Sequence, residues 1–167
     1  MPTAHLICGS TGAGKTTYAL DLAVRTGAVR FSIDEWMAAL FWPDAPPSRV
    51  YEWALERTER CERQILAVCA QLFARGQDAI LDLGFFTRVQ RERTAAGVRD
   101  AGGEPRLHYL PVPAPVRWER VAQRNAQGGE TFALTVTREM FDFCEGLFEA
   151  PVETELAGGV IVPEGWD

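Results

Sequence analysis

The chain reads as an α/β layer protein with a mostly parallel sheet. Three observations carry that reading. The stretch Gly9-Ser10-Thr11-Gly12-Ala13-Gly14-Lys15-Thr16 fits the phosphate-loop pattern G-x-x-x-x-G-K-[ST] and lies between a short apolar run, His5-Leu6-Ile7-Cys8, and a helical run, Thr17 to Ala23. Beyond it, strand-like and helix-like segments alternate to the end of the chain. Two of those strands close on aspartate, Asp34 and Asp82, so that both carboxylates and the loop face one crevice at the carboxyl edge of the sheet.

The elements follow in order. A first strand spans about 4–8 and a first helix about 15–26, stopped by Gly27. Val29 to Ile33 is a second strand, expected beside the first and ending at Asp34-Glu35, and a short helix runs from Glu35 to Phe41. Pro43, Pro46 and Pro47 then mark a loop. Ser48 suits the N-cap of a long helix over 49–75, apolar at Trp53, Ile65, Leu66, Val68, Cys69 and Leu72, with a solvated charged run from Glu56 to Arg60. Asp78 to Asp82 is the third strand, 87–101 a helix ended by Gly102-Gly103, and Leu107 to Val112 the fourth strand. Helices over 115–126 and 135–148 flank a mobile loop that opens at Gly128-Gly129 and runs to about 133. Pro151 breaks the chain, and Val160 to Val162 is a last short strand. No internal repeat or low-complexity segment interrupts this order.

Length and composition set bounds. A chain of 167 residues, 47% hydrophobic, suits one domain over 1–167 with its own core, with a mobile lid near 117–133. A net charge of −6 lacks the basic excess of a duplex-binding surface. Cys8, Cys61, Cys69 and Cys144 show no C-x-x-C spacing and read as free thiols of a reducing, cytoplasmic setting. No signal peptide precedes the first strand, and no apolar run reaches membrane-spanning length. His5 and His108 read as structural.

The phosphate loop has a specific physics. Its glycines let successive backbone N–H groups turn into one concavity, and the following helix adds unpaired N–H groups and the positive end of its dipole. Gly9, Ser10, Thr11, Gly12, Ala13, Gly14, Lys15, Thr16 and Thr17 are therefore the nucleotide-binding residues, with Lys15 reaching the β/γ-phosphates and the Thr16 hydroxyl holding Mg²⁺. Asp82, after Ala79-Ile80-Leu81, fits a carboxylate that orients Mg²⁺, although aspartate is also a common turn residue. Asp34 fits a proton acceptor for a reacting hydroxyl and also an N-cap for the helix after it. Arg117, Arg120 and Arg124 share a helix face and fit a lid that offsets charge on transferring phosphate. A solvated cationic face paired with Glu119 would look the same. Arg91 is either an acceptor contact or surface charge. Trp36, Phe41, Trp42, Tyr51 and Trp53 are either an acceptor wall or a satellite core. Phe141, Phe143 and Phe148 fit the buried face of the last helix or a partner surface.

Taken together, these residues resemble the small P-loop kinases of the AAA_33-like group, related to the 5′-hydroxyl polynucleotide kinase domain, chloramphenicol phosphotransferase and the zeta toxins. The resemblance runs from Leu6 to about Pro151. It rests on Gly9 to Thr17, Ser32-Ile33-Asp34, Ile80-Leu81-Asp82 with Arg91 nine residues on, and Arg120-Val121-Ala122-Gln123-Arg124-Asn125. It implies a three-layer α/β/α P-loop NTPase fold of the nucleotide-kinase type with five strands, ATP with Mg²⁺, and phosphoryl transfer to a hydroxyl. On its pattern Lys15, Asp34, Arg120 and Arg124 are catalytic, and Thr16 and Asp82 serve the metal. Asp34, Trp36 and Arg91 are candidates for the acceptor side. Polynucleotide kinases of the group tend to carry arginine three residues after the acceptor aspartate, where this chain has Met37, and a further basic residue after the Arg-Asn pair, where it has Ala126-Gln127. Both departures favour a small hydroxyl compound over a nucleic-acid end. A 5′-hydroxyl polynucleotide kinase and a non-catalytic ATP-binding switch remain the alternatives.

Overall fold

The computed structural model describes residues 1–127, 135–163, 165 and 166. The expected loop from Gly128-Gly129 to about 133 lies outside them. At the centre stands β1 (Thr3–Cys8), buried from Ala4 onward. Successive side chains of a strand point to opposite faces. Ala4, Leu6 and Cys8 accordingly enter one apolar cluster, and Ile7 enters another.

Five parallel strands form the sheet, in the order β2 (Val29–Ser32), β3 (Ala79–Asp82), β1, β4 (Glu104–Tyr109), β5 (Val160–Ile161). On one face α1 (Lys15–Thr26) packs Tyr18, Ala19 and Leu22 against Ile7 and Ile80. On the other, α3 (Val50–Phe73) brings Cys61, Ile65, Cys69 and Phe73, and α4 (Arg88–Asp100) brings Val98. Helices on both faces make the expected three layers. The remaining elements are α2 (Ile33–Leu40), a 3-10 turn at Trp42–Asp44, α5 (Ala114–Gln127), α6 (Arg138–Leu147) and α7 (Glu153–Leu156).

Several expectations need correction. The second strand does not neighbour the first, because β3 lies between them. Ala79, Ile80 and Leu81 have no exposed surface and suit an interior position, whereas β2, with Val29 exposed and Arg30 partly so, tolerates the edge. β2 also stops sooner. Ile33 and Asp34 already belong to α2, and the Ser32 hydroxyl caps it by accepting from the Glu35 N–H at 3.4 Å, so Asp34 is not the cap. Ser48 does not cap α3. That place falls to Arg49, in the left-handed region at φ 54°. The fourth strand starts at Glu104, not Leu107, and is over before Pro111, which has no N–H to offer a ladder. The last long helix begins at Arg138, not 135, where the Thr137 hydroxyl accepts from the Met140 N–H at 3.2 Å.

Beneath α1 lies a buried polar chain. The Tyr18 hydroxyl is 2.7 Å from His108 Nδ1, and His108 Nε2 is 2.9 Å from His5 Nδ1. The two histidines that the sequence leaves unpartnered are therefore partners of each other. Burial lowers the pKa of both, His108 to about 4. All four cysteines are free thiols, and burial pushes Cys8 up to about 11 and Cys69 up to about 12. No described helix is long and apolar enough to cross a membrane.

Candidate active site

The loop between β1 and α1 needs glycine at two positions for reasons of geometry. Gly12 has φ +81°, and a Cβ on it would lie 2.6 Å from the Arg117 carbonyl oxygen. Gly14 has φ +89° and stands at the N-cap of α1, where only Arg120 Nη1, at 3.5 Å, and the Trp166 ring, at 4.0 Å, come near an added Cβ. The missing side chain at Gly12 lets α5 close on the loop, and that at Gly14 leaves the backbone open at the start of α1.

Side chains brace this loop from behind. The Arg117 guanidinium donates to the carbonyls of Thr11, at 3.0 Å, and Val112, at 2.7 Å. It also grips Glu145 of α6 with two bonds of 2.6 Å. Glu145 in turn accepts from the Ser10 hydroxyl. These bonds, above all those from Arg117, hold the Glu145 carboxyl below the usual carboxylate range. Arg117 is thus neither a lid residue nor the solvated partner of Glu119. It is buried, and it fastens the loop to α6.

The chemistry-bearing groups gather in front of the loop. Lys15 Nζ donates to the Ser10 carbonyl at 3.1 Å. Burial lowers its pKa, against the opposing fields of Asp82 and Asp34. Asp82, at the end of β3, is 6% exposed, and its Oδ2 has no hydrogen-bond partner. Burial raises its pKa, with Lys15 and the Thr16 hydroxyl pulling it back. Arg30 Nη2 is 3.7 Å from that oxygen and 2.7 Å from Glu35. After Asp82 the backbone turns through Gly84, φ +92°, and the fully buried Phe85, φ 43°. Left-handed backbone at a bulky residue is strained, and strain of this kind gathers at functional sites.

One continuous cavity of about 660 Å³ is lined by Gly12, Gly14, Lys15, Thr16, Thr17, Asp34, Asp82 and Arg124 at its loop end. The crevice read from the sequence is therefore formed, with Asp34 reaching it from the first turn of α2. Arg124 Nε is buried without a hydrogen-bond partner. Asn125 beside it clasps the backbone of Val136 at 2.8 and 3.2 Å, tying α5 to the approach of α6. Among the described residues no group of three His, Cys, Asp or Glu forms an all-protein metal site.

The far end of the cavity is apolar. Trp42 and Tyr51 line it, as do Met37, Leu55, Phe86, Val89, Met140, Phe143 and Leu147. Four candidates from the sequence are not there. Phe41 and Trp53 pack on each other, with ring centroids 6.5 Å apart, and against the core, as a satellite core would. Trp36 packs on Phe31, with ring centroids 6.3 Å apart, against the core. Arg91 is 3% exposed and fully engaged, holding both oxygens of Glu155 at 2.7 and 3.0 Å and the Glu149 carbonyl at 2.7 Å. It pins the C-terminal segment instead of an acceptor, because burial leaves it no route to the cavity. Phe141 is buried as expected, but Phe143 is 55% exposed and faces the cavity, against Tyr51.

Sequence reasoning missed Glu145, Glu62 and Gln90. Glu62 sits buried in the cavity wall and accepts from Gln90 and Arg93, each at 2.7 Å. Its only signal was a carboxylate beside Cys61 on the face that α3 buries.

Comparison with known proteins agrees with this architecture. The fold matches that of a candidate kinase from Chloroflexus aurantiacus J-10-fl, with TM-score 0.71 and 20% identity over 96% of this chain and 83% of that one. It also matches a gluconokinase from Sinorhizobium meliloti 1021, with TM-score 0.62 and 17% identity over 99% and 85%. A third match is Kti12 from Chaetomium thermophilum, in complex with ADP-AlF3, with TM-score 0.74 and 13% identity over 98% and 90%. No curated protein matches in sequence. The family model described as an AAA domain matches residues 5–150, most of the chain, and the protein belongs to that P-loop family.

Proposed function

We propose that this protein is an ATP-dependent kinase that moves the γ-phosphoryl group to a hydroxyl on a small molecule. The observation that carries the reading is the joint presence of Lys15, Thr16, Asp34 and Asp82 on one cavity that continues into a pocket of ligand size. The residues suit a triphosphate with Mg²⁺. The loop is bare at Gly14, where α1 starts, and Asp82 keeps an unbonded buried oxygen beside the Thr16 hydroxyl. Thr16 and Asp82 would hold Mg²⁺, which neutralises phosphate charge when bound.

The chain's own groups divide the remaining work. Gly9 to Thr17 bind and orient the phosphates. Asp34 takes the proton of the acceptor hydroxyl as its oxygen bonds to the γ-phosphorus. The bond to the bridging oxygen breaks, and ADP carries that electron pair away. Lys15, Arg120 and Arg124 offset the charge that builds on the γ-phosphoryl oxygens. Adenine nucleotide is the choice because no guanine-reading motif is visible, and the Kti12 relative was crystallised with ADP-AlF3. The gluconokinase relative is compatible with a small-molecule acceptor, and the choice over a polynucleotide rests on Met37, Ala126-Gln127 and the net charge of −6.

Asp34→Asn tests the assignment. Transfer should fall by about 10²- to 10⁴-fold while ADP affinity stays within about twofold. Transfer at the wild-type rate would remove Asp34 from the mechanism. A wild-type protein that binds no ATP would remove the kinase reading.

A further inference from the structure

The acceptor's chemical class can be read from the far end of the cavity, on the footing of the kinase reading. Exposed large apolar side chains are usually scattered singly over a surface. Here Trp42, Tyr51, Leu55, Val89, Met140 and Phe143, each between 40% and 72% exposed, converge on one wall. Their apolar surface is left open beside a reactive carboxylate, Asp34. A gathering of this kind marks a binding surface for a body that is itself apolar.

Charge narrows the class further. Among the described residues Arg93 is the cation at this end, and it is spent on Glu62 at 2.7 Å and Glu59 at 3.8 Å. Two carboxylates against one guanidinium leave the pocket net negative. Lys15 and Arg124, the other cations of the cavity, belong to its loop end. A carboxylate or phosphate on the acceptor would enter without a counter-charge, at the cost of desolvation. A bare polyol would exchange water for largely apolar walls, and the polar groups there are few and partly spent. The Gln90 side chain accepts from the Phe86 N–H at 3.1 Å and donates to Glu62 at 2.7 Å, which leaves Thr58 and Glu59 as the freer partners.

We infer that the acceptor is an alcohol with an aromatic or otherwise apolar body, neutral or singly cationic, and not a sugar acid, a simple sugar or a nucleic-acid end. Its hydroxyl lies toward Asp34, its apolar body on Phe143 and Tyr51, and any positive group toward Glu59.

The test is titration calorimetry on the ADP-loaded protein. The probes are 3-phenylpropanol, phenylalaninol, gluconate, glucose and a 5′-hydroxyl oligonucleotide. The first two should bind at least tenfold more tightly than the last three, and should take label from γ-labelled ATP in preference to them. Phe143→Ala, at an exposed site away from the core, should weaken 3-phenylpropanol by about tenfold. Glu59→Arg should weaken phenylalaninol several-fold, leave 3-phenylpropanol within about twofold, and strengthen gluconate. Gluconate, glucose or the oligonucleotide binding as well as the alcohols would overturn the inference and leave the kinase reading standing. No binding of either alcohol to a protein that holds ADP would also overturn it. Failure to bind ADP at all would instead strike the kinase reading.

Discussion

The two ends of the cavity are built on different terms. The loop end comes from one contiguous stretch, Gly9 to Thr17, braced from behind by Arg117 and Glu145 and flanked by a buried Asp82. Its groups are polar, held and mostly backbone. The apolar end is assembled from α2, the 3-10 turn, α3, α4 and α6, which send side chains to it from separate parts of the chain, most of them exposed. On the kinase reading the contrast follows from the ligands. A polyphosphate is the same for every enzyme that uses it, so a rigid cradle of N–H groups serves. An acceptor differs from enzyme to enzyme, and the side chains that meet it can change without disturbing the core.

Breaking each end should therefore give effects of different size. The largest is expected at the loop. Lys15→Ala should lower transfer by a factor on the order of 10³ or more in a γ-label assay, because it removes a fixed charge at the transferring group. A variant that kept a tenth of the activity would show that the cradle works without it.

The next effect is on stability, under α1. His108 is neutral when folded, with a pKa of about 4, and faces His5, the Tyr18 hydroxyl and, at longer range, Arg25 and Arg106, while Asp78 acts on His5. The unfolded chain takes up its proton near the ordinary histidine value of 6.5. The folded state therefore keeps its full stability above about pH 6.5 and loses it as pH falls toward about 4. The loss from this one group is on the order of 3 kcal/mol. Thermal melts at pH 7, 5.5 and 4 should show the fall, and His108→Gln should flatten it. Equal melting temperatures for the wild type at pH 7 and 4.5 would contradict the buried neutral pair.

A smaller effect sharpens the comparison. Glu145→Gln removes the charge that holds Arg117 and Ser10. It should cost about 1–3 kcal/mol in denaturant melts and raise the Kd for ADP about tenfold. Phe143→Ala, two residues away but exposed, should change stability by no more than about 0.5 kcal/mol. If both variants melt alike, the two ends are not as distinct as their burial suggests.

The same contrast explains what could be read from the sequence. The loop was legible because its chemistry is local, with glycines, lysine and threonine at fixed offsets between a strand and a helix. Asp82 was legible as a strand terminus. Asp34 was found for its place in the crevice, though its strand proved to be at the sheet edge and its residue inside a helix. Strand order is a matter of which segment is most apolar, and the buried Ala79-Ile80-Leu81 displaced β2 from the centre. What was not legible depended on long-range partners. Arg91 finds Glu155 64 residues away, and Ser10 finds Glu145 135 residues away. Nothing local distinguishes an arginine that will be buried from one that will meet a ligand. Trp36 and Trp42 differ in role for the same reason, since six residues along one segment carry the first into the core and the second to the cavity.

Helix α6 joins the two ends. Glu145 on one side of it holds Ser10 and, through Arg117, Thr11, while Met140, Phe143, Cys144 and Leu147 line the cavity. A ligand that shifts this helix shifts the posture of the phosphate cradle, and a nucleotide that tightens the cradle draws on the same helix. The two binding free energies are then linked, and linkage is reciprocal. On the kinase reading, occupancy of either end would be felt at the other by the same factor, and the helix would make the two substrates each other's effectors.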